Sequence, residues 1–421
     1  MHSCRRRYGN AFTVRFAQIG TIVFVTHPDA VKQVFTASDD VLRAGEANSS
    51  LEPVLGPSSV LLLDGSEHLR ARRLMLPPFH GERMARYEEL MAQIADEAMD
   101  GWPAGFPFEL QPRMQAITLD IIVRVVFGVR EPGQLERVRA ALLELLDVST
   151  SRRVMLPWLR RDLGPMSPWR RFLQTRDRVD EVLYDEIRRR RSAADLADRD
   201  DILSLLLQSR TEEGEGLSDQ ELRDELVTLL VAGHETTATT LAWAFERLLR
   251  DREAMERLEA DARGESDDGY ADAVVHETLR LRAPIPIVAR MVKQPFELDG
   301  HELPPGVMVA PCIYLLHRRP DVYPDPERFS PQRFVGEQPG TYTWIPFGGG
   351  RRRCLGATFA LFEMKVVLRT IVARTRLRAA EPKGESMRRR AIVFAPGRGA
   401  RAVLVERGPR RGDRGAVATA A

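Results

Sequence analysis

The residue with the most chemistry gathered around it is Cys354. It closes the run Phe347-Gly348-Gly349-Gly350-Arg351-Arg352-Arg353-Cys354-Leu355-Gly356. Three glycines allow a tight turn and close approach to a flat ligand. A helical pattern follows through Phe359, Phe362, Val366 and Ile371, so the thiol is predicted at a helix N-terminus. There the exposed amides, the helix dipole and the three arginines favour a thiolate. A lone cysteine is more often a small buried hydrophobe, but loop, arginines and helix start converge on this one. No C-x-x-C or H-x₃-H partner accompanies it, so a tetrahedral zinc site is excluded. An activated thiolate is what the residues support.

Three other spacings could carry chemistry. Ala232-Gly233-His234-Glu235-Thr236-Thr237 sets an acid directly before a hydroxyl. It is either a polar helix stripe whose threonines bond back to i−4 carbonyls, or a helix opened for proton transfer. Glu277-Thr278-Leu279-Arg280 puts opposite charges on one helix face. Such a pair is ordinarily a surface contact worth roughly a few tenths of a kcal/mol. His68 and Arg72 share a face in the same way, a weak signal by itself.

The elements that must position these groups are mainly helical, with small sheets. Ser218 and Glu221 form an S-x-x-E capping box, and apolar residues then recur from Leu222 to Leu249. A helix of about 33 residues to Arg250 would run roughly 48 Å and cross the molecule. Phe12 to Val25 reads as two short strands around Gly20, and His27-Pro28-Asp29 opens a helix through Phe35. A second strand-rich region spans 285–316, with Asp299-Gly300 as a hairpin turn. Residues 1–405 are expected to form one domain and 406–421 a mobile tail rich in Gly, Arg and Ala.

Composition narrows the class. The chain has 421 residues, 43% hydrophobic and 29% charged, with a formal net charge of +2. Nothing in that balance calls for nucleic acid. No run approaches the length of a membrane span, and Arg5-Arg6-Arg7 lacks the apolar stretch of a secretory signal. Three cysteines, Cys4, Cys312 and Cys354, do not make a disulfide framework. A cytoplasmic monomer is expected.

The pattern F-x-x-G-x-x-x-C-x-G, carried by Phe347, Gly350, Cys354 and Gly356, resembles the haem-binding loop of the cytochrome P-450 family. The other motifs fall in that family's order. The resemblance implies that fold, with haem b between the long helix and the cysteine loop. It makes Cys354 the axial iron ligand, where an anionic thiolate favours O–O cleavage. Glu277 and Arg280 become structural, joined by Arg333 in Phe329-Ser330-Pro331-Gln332-Arg333-Phe334, where Gln332 stands in place of the usual Glu. Ala232 and Gly233 leave room for O2, while Thr236 and Glu235 handle its protons. His234 is expected to point away. His68, Arg72, Arg290 and Arg352 would grip the haem propionates. Less chain precedes Tyr8-Gly9-Asn10 than the family usually carries, so either thinner packing there or a misplaced start codon is expected, and no membrane anchor.

The activity implied is monooxygenation of a lipophilic small molecule, by hydroxylation or epoxidation. No flavin or nicotinamide fingerprint is present, so a ferredoxin and its reductase are the expected electron donors. Arg351, Arg353, Lys365 and Arg369 could dock them. Substrate contacts are expected from 45–63, Val231, Pro284 to Val288, and Phe394. A peroxide-driven peroxygenase and a non-catalytic haem gas sensor or carrier are the alternatives.

Overall fold

The capping box at Ser218 forms in full. Ser218 Oγ accepts from the Glu221 N–H at 3.2 Å, and the Glu221 carboxylate accepts from the Ser218 N–H at 2.7 Å. The helix it opens, Asp219–Leu248, has 30 residues, about 45 Å of rise. It stops short of the predicted Arg250 because Asp251 caps the next helix, Arg252–Arg263. Gly233 does not break it. The computed structural model describes the chain except Gln18 and residues 80–82, 129–131, 150–159, 161, 163, 165–166, 267–268, 391 and 412–421. Most of the tail expected from 406 therefore lies outside the described residues; the last strand, Arg401–Arg407, enters its first two positions.

The long helix is apolar on most of its circumference and is packed accordingly. It lies against Leu110–Phe127, Pro168–Arg191 and the helix that follows the cysteine, Ala357–Arg374. Among the described residues, one sheet has five strands, in the order Ala11–Phe16, Gly20–Val25, Met308–Pro311, Arg290–Val292, Leu42–Arg43. Its one parallel pair is Gly20–Val25 with Met308–Pro311. Strand Arg290–Val292 lies between Met308–Pro311 and Leu42–Arg43 and delivers Arg290 beside Phe35. The hairpin predicted at Asp299-Gly300 is present, with φ of 51° and 74° at those two residues, as a two-residue turn of that type requires. Among the described residues no helix is long and apolar enough to cross a membrane.

Glu277 and Arg280 are not a surface pair. Both side chains are 0% exposed on the helix Tyr270–Leu281. Arg280 Nε and Nη2 reach the two Glu277 oxygens at 2.6 and 2.8 Å; the remaining donors meet the carbonyls of His317, Pro326 and Arg328 at 2.7, 2.8 and 3.1 Å. Arg333 approaches Glu277 at 3.4 Å, the third member expected from the family pattern. Gln332 turns to the Tyr270 hydroxyl at 3.4 Å. His317 completes the junction: its Nε2 accepts from the Ile345 N–H at 2.9 Å, so Nδ1 carries the proton toward the Arg280 carbonyl at 3.1 Å.

Replacing Arg280 by Leu strips buried Glu277 of its bidentate partner and leaves it only the Ser330 N–H at 2.8 Å and Arg333 at 3.4 Å, so the variant should lose about 3 kcal/mol of stability. Denaturant unfolding of the two proteins measures it, and a loss within error of zero contradicts the role. Burial pushes the His317 pKa down from 6.5 to about 3. Between those values the unfolded chain takes up a proton that the native chain refuses, so stability falls as pH falls through the window. His317→Gln should shrink the drop in Tm between about pH 7 and about pH 5.

Candidate functional site

The cysteine loop is built from turns. The Gly348 N–H donates to Ile345 O at 3.0 Å, the Arg353 N–H to Gly350 O at 3.1 Å, and the Cys354 N–H to Phe347 O at 2.9 Å. Gly348 and Gly350 have φ of 69° and 63°, values that side-chain-bearing residues rarely adopt. The close approach these glycines permit is first of all to protein. A Cβ at Gly349 would lie 2.3 Å from the Phe35 ring, and one at Gly350 2.1 Å from the Phe35 carbonyl. The helix Pro28–Thr36 thus seats the loop from behind, which the glycine spacing alone did not suggest.

Cys354 lies before the helix start, two residues ahead of the N-cap Gly356. Gly356 bonds the sulfur through its backbone, and Arg72 and Arg353 add positive charge, yet burial outweighs them and pushes the thiol pKa up. The expectation that dipole and arginines alone give a thiolate therefore needs correction. Desolvation wins, and the thiolate needs a cation beside the sulfur. Cys354 is accessible although it lies deep among protein atoms.

Four groups converge on one edge of this loop. His68, on the helix Gly65–Met75, is 1% exposed, and its Nδ1 is a buried atom with no hydrogen-bond partner in the protein. Burial first, then Arg352 and Arg72, push its pKa down to about 4. Arg290 is buried; it bonds the Ala289 carbonyl at 2.9 Å, lies 5.9 Å from the centre of the Phe35 ring, and has its pKa pushed by desolvation to about 10. Arg72 donates to the Arg353 carbonyl at 2.8 Å, directly before the cysteine. Arg352 bonds Val60 O at 3.1 Å and also reaches Leu63 O and the Asp64 carboxylate. A cavity of about 380 Å³ opens between Arg290, Arg352, Gly349, Gly350 and the segment from Val34 to Asp39.

Across the site stands the middle of the long helix. Ala232 is accessible although it sits midway along a buried element. Thr236 Oγ1 donates to Ala232 O at 2.7 Å, and Thr240 repeats the contact to Thr236 O at 2.9 Å. Gly233 leaves 3.4 Å between a notional Cβ and Ile122. His234 points away, as expected, bonding Thr118 Oγ1 at 3.0 Å. Glu235 accepts from Gln115 Nε2 at 2.6 Å and lies 3.4 Å from Arg390 Nε. Burial pushes its carboxyl pKa up, against Arg390 and Gln115. Neither partner was visible in the sequence, where Arg390 is one more charge in the run Arg388-Arg389-Arg390.

These residues fit a haem. The accessible sulfur of Cys354 would serve as the iron ligand. Among the described residues His68 presents a buried unpartnered nitrogen, and Arg290 is a buried cation with no carboxylate at hydrogen-bond distance, as two anionic propionates would require. Among the described residues no three His, Cys, Asp or Glu side chains gather as a metal site. Two of the surface cations considered for docking are already engaged: Lys365 pairs with Asp272 at 3.1 Å and Arg369 with Asp261 at 3.4 Å.

Comparison with known proteins agrees with this geometry. Residues 1–399 match the family model described as Cytochrome P450. The chain is 44% identical over 409 residues to the putative cytochrome P450 135B1 of Mycobacterium tuberculosis, covering 95% of this chain and 85% of that one. It is 38% identical over 396 residues to the putative cytochrome P450 137 of the same organism, covering 94% and 83%. Among solved structures, the cytochrome P450DA haem domain superposes with a TM-score of 0.83 at 24% identity, covering 96% of this chain and 92% of that one. The retinoic acid-bound cyanobacterial CYP120A1 gives 0.82 at 24% identity, covering 96% and 93%. With a match that spans most of its length, the chain belongs to the cytochrome P450 family, a monooxygenase family that uses haem and draws electrons from a redox partner.

Proposed function

We propose that this chain is a single-domain monooxygenase, residues 1–405, that inserts one oxygen atom from O2 into a lipophilic small molecule. The balance is RH + O2 + two electrons + two protons giving ROH + H2O, or the epoxide from an alkene. The observation that carries the reading is the Glu235-Thr236 pair beside accessible Ala232, midway along a helix that packs against the helix following the cysteine. A haem held by Cys354 supplies dioxygen binding and O–O cleavage.

The chain's own residues do the rest. Phe347, Gly350 and Gly356 shape the turn around Cys354, and the Gly356 backbone steadies its sulfur. His68 and Arg290 would hold the propionates. Arg72 and Arg352 contribute charge while tying the cysteine loop to the helix Gly65–Met75 and to the Val60–Asp64 loop. Ala232 and Gly233 keep space open. Thr236, whose single O–H rests on the Ala232 carbonyl, turns its hydroxyl off that carbonyl to pass a proton inward, and Glu235 replenishes it from the solvent side, rotating or acting through water.

The segments offered to substrate are half-buried and apolar: Leu61 to Leu63, Val231, Ile285 to Val288, and Phe394. They favour a fatty-acid, terpenoid, steroid or polyketide skeleton. An acidic ferredoxin, reduced by its reductase, would meet the exposed Arg351 and Arg353. The peroxygenase alternative has no use for an acid–threonine pair.

The test supplies ferredoxin, reductase, NAD(P)H and ¹⁸O2 with a panel of lipophilic compounds. One labelled oxygen per product is expected. Equal turnover with peroxide alone would favour the peroxygenase. Thr236→Ala should keep its haem and consume NAD(P)H while releasing peroxide; unchanged product per NAD(P)H removes Thr236 from the proton path. Arg290→Gln removes a charge-assisted bond and should speed haem transfer to an acceptor apoprotein by roughly tenfold; an unchanged rate removes Arg290 from the propionate set.

A further inference from the structure

We infer that Arg390 is a positioning residue that holds Glu235 at the solvent end of the proton path, and so makes the hairpin Met387–Pro396 part of the catalytic apparatus. The inference rests on the reading of Glu235 as the proton donor to Thr236.

The geometry comes from three elements. The long helix supplies Glu235, whose side chain is 19% exposed. The helix Leu110–Phe127 supplies Gln115, an uncharged donor at 2.6 Å. The hairpin supplies Arg390, at 3.4 Å and with its side chain 51% exposed. Adjacent helix residues point about 100° apart. The carboxylate therefore cannot serve Thr236 while it lies between Gln115 and Arg390. It must swing, or pass the proton to water. Arg390 stands where the wet end of that route begins. The other titratable neighbour, His234, is tied to Thr118, and burial pushes its pKa down to about 4, leaving it neutral.

The hairpin carries a second function. Its inner strand, Val393–Pro396, lies on the long helix: Trp243 Nε1 donates to Phe394 O at 2.8 Å, and the Phe394 N–H donates to Pro284 O at 3.1 Å. Arg390 is the cross-strand partner of Val393, and Arg389 of Phe394. The strand bearing Arg390 is exposed at all four residues. One short hairpin thus joins Phe394, offered to substrate, with the cation that holds the acid.

The experiment compares the haem-loaded wild type with Arg390→Gln, Arg390→Lys and Glu235→Gln. Infrared difference spectra against Glu235→Gln isolate the Glu235 carboxyl band, and a pH titration follows it. The midpoint should move to higher pH in Arg390→Gln and return toward wild type in Arg390→Lys. Product per NAD(P)H should fall in Arg390→Gln with haem content and substrate affinity unchanged. An unmoved Glu235 midpoint in Arg390→Gln, in an enzyme that Glu235→Gln uncouples, overturns the role of Arg390 alone. Full product yield in Glu235→Gln overturns the proton-donor reading first, and the role of Arg390 with it.

Discussion

All five N–H donors of Arg280 are engaged in a site with no access to water: two on Glu277, three on carbonyls from 317, 326 and 328. That buried junction organises a long stretch of irregular chain ahead of the cysteine. Neither helix nor sheet could fix its path over this distance, so side chains must satisfy its backbone. His317 bonds Arg280 O and takes the Ile345 N–H; the Ile345 carbonyl takes the Gly348 N–H; the Phe347 carbonyl takes the Cys354 N–H. Trp344 adds its indole N–H to the His276 carbonyl at 3.1 Å. A series of hydrogen bonds therefore runs from an ion pair with no reactive role to the backbone of Cys354.

A second constraint links the cysteine loop to the segment 58–64. The Asp64 carboxylate accepts from the Gly45 and Glu46 N–H groups at 2.8 and 3.0 Å and also holds Arg352. Farther along, Glu225 accepts the Val60 N–H at 2.8 Å and Asp224 the Ser58 N–H at 2.9 Å. The loop that bears Leu61 to Leu63 is thus pinned at one end to the long helix and at the other to the residue two before the cysteine. Rigidity there is what a site that must orient a substrate needs.

Local chemistry was legible in the sequence and long-range chemistry was not. The capping box at Ser218, the turn at Asp299-Gly300 and the glycine turn before Cys354 depend on residues within a few positions of each other. Glu277 and Arg280 looked like a surface pair by spacing, because burial is a property of what packs around a helix; only the family pattern revealed their role. The partners of Glu235 come from 120 and 155 positions away, and no periodicity encodes them. The thiol was misjudged for a related reason. Dipole and arginines can be read locally, whereas the desolvation that outweighs them requires the folded interior.

Everything in this arrangement converges on one sulfur. The direct measurement is the optical spectrum of the reduced, CO-bound protein, for wild type and Cys354→Ser. Thiolate ligation by Cys354 requires a strongly red-shifted Soret band in wild type and its loss in the serine variant. A histidine-like band in wild type, or a red-shifted band that survives the substitution, would contradict it.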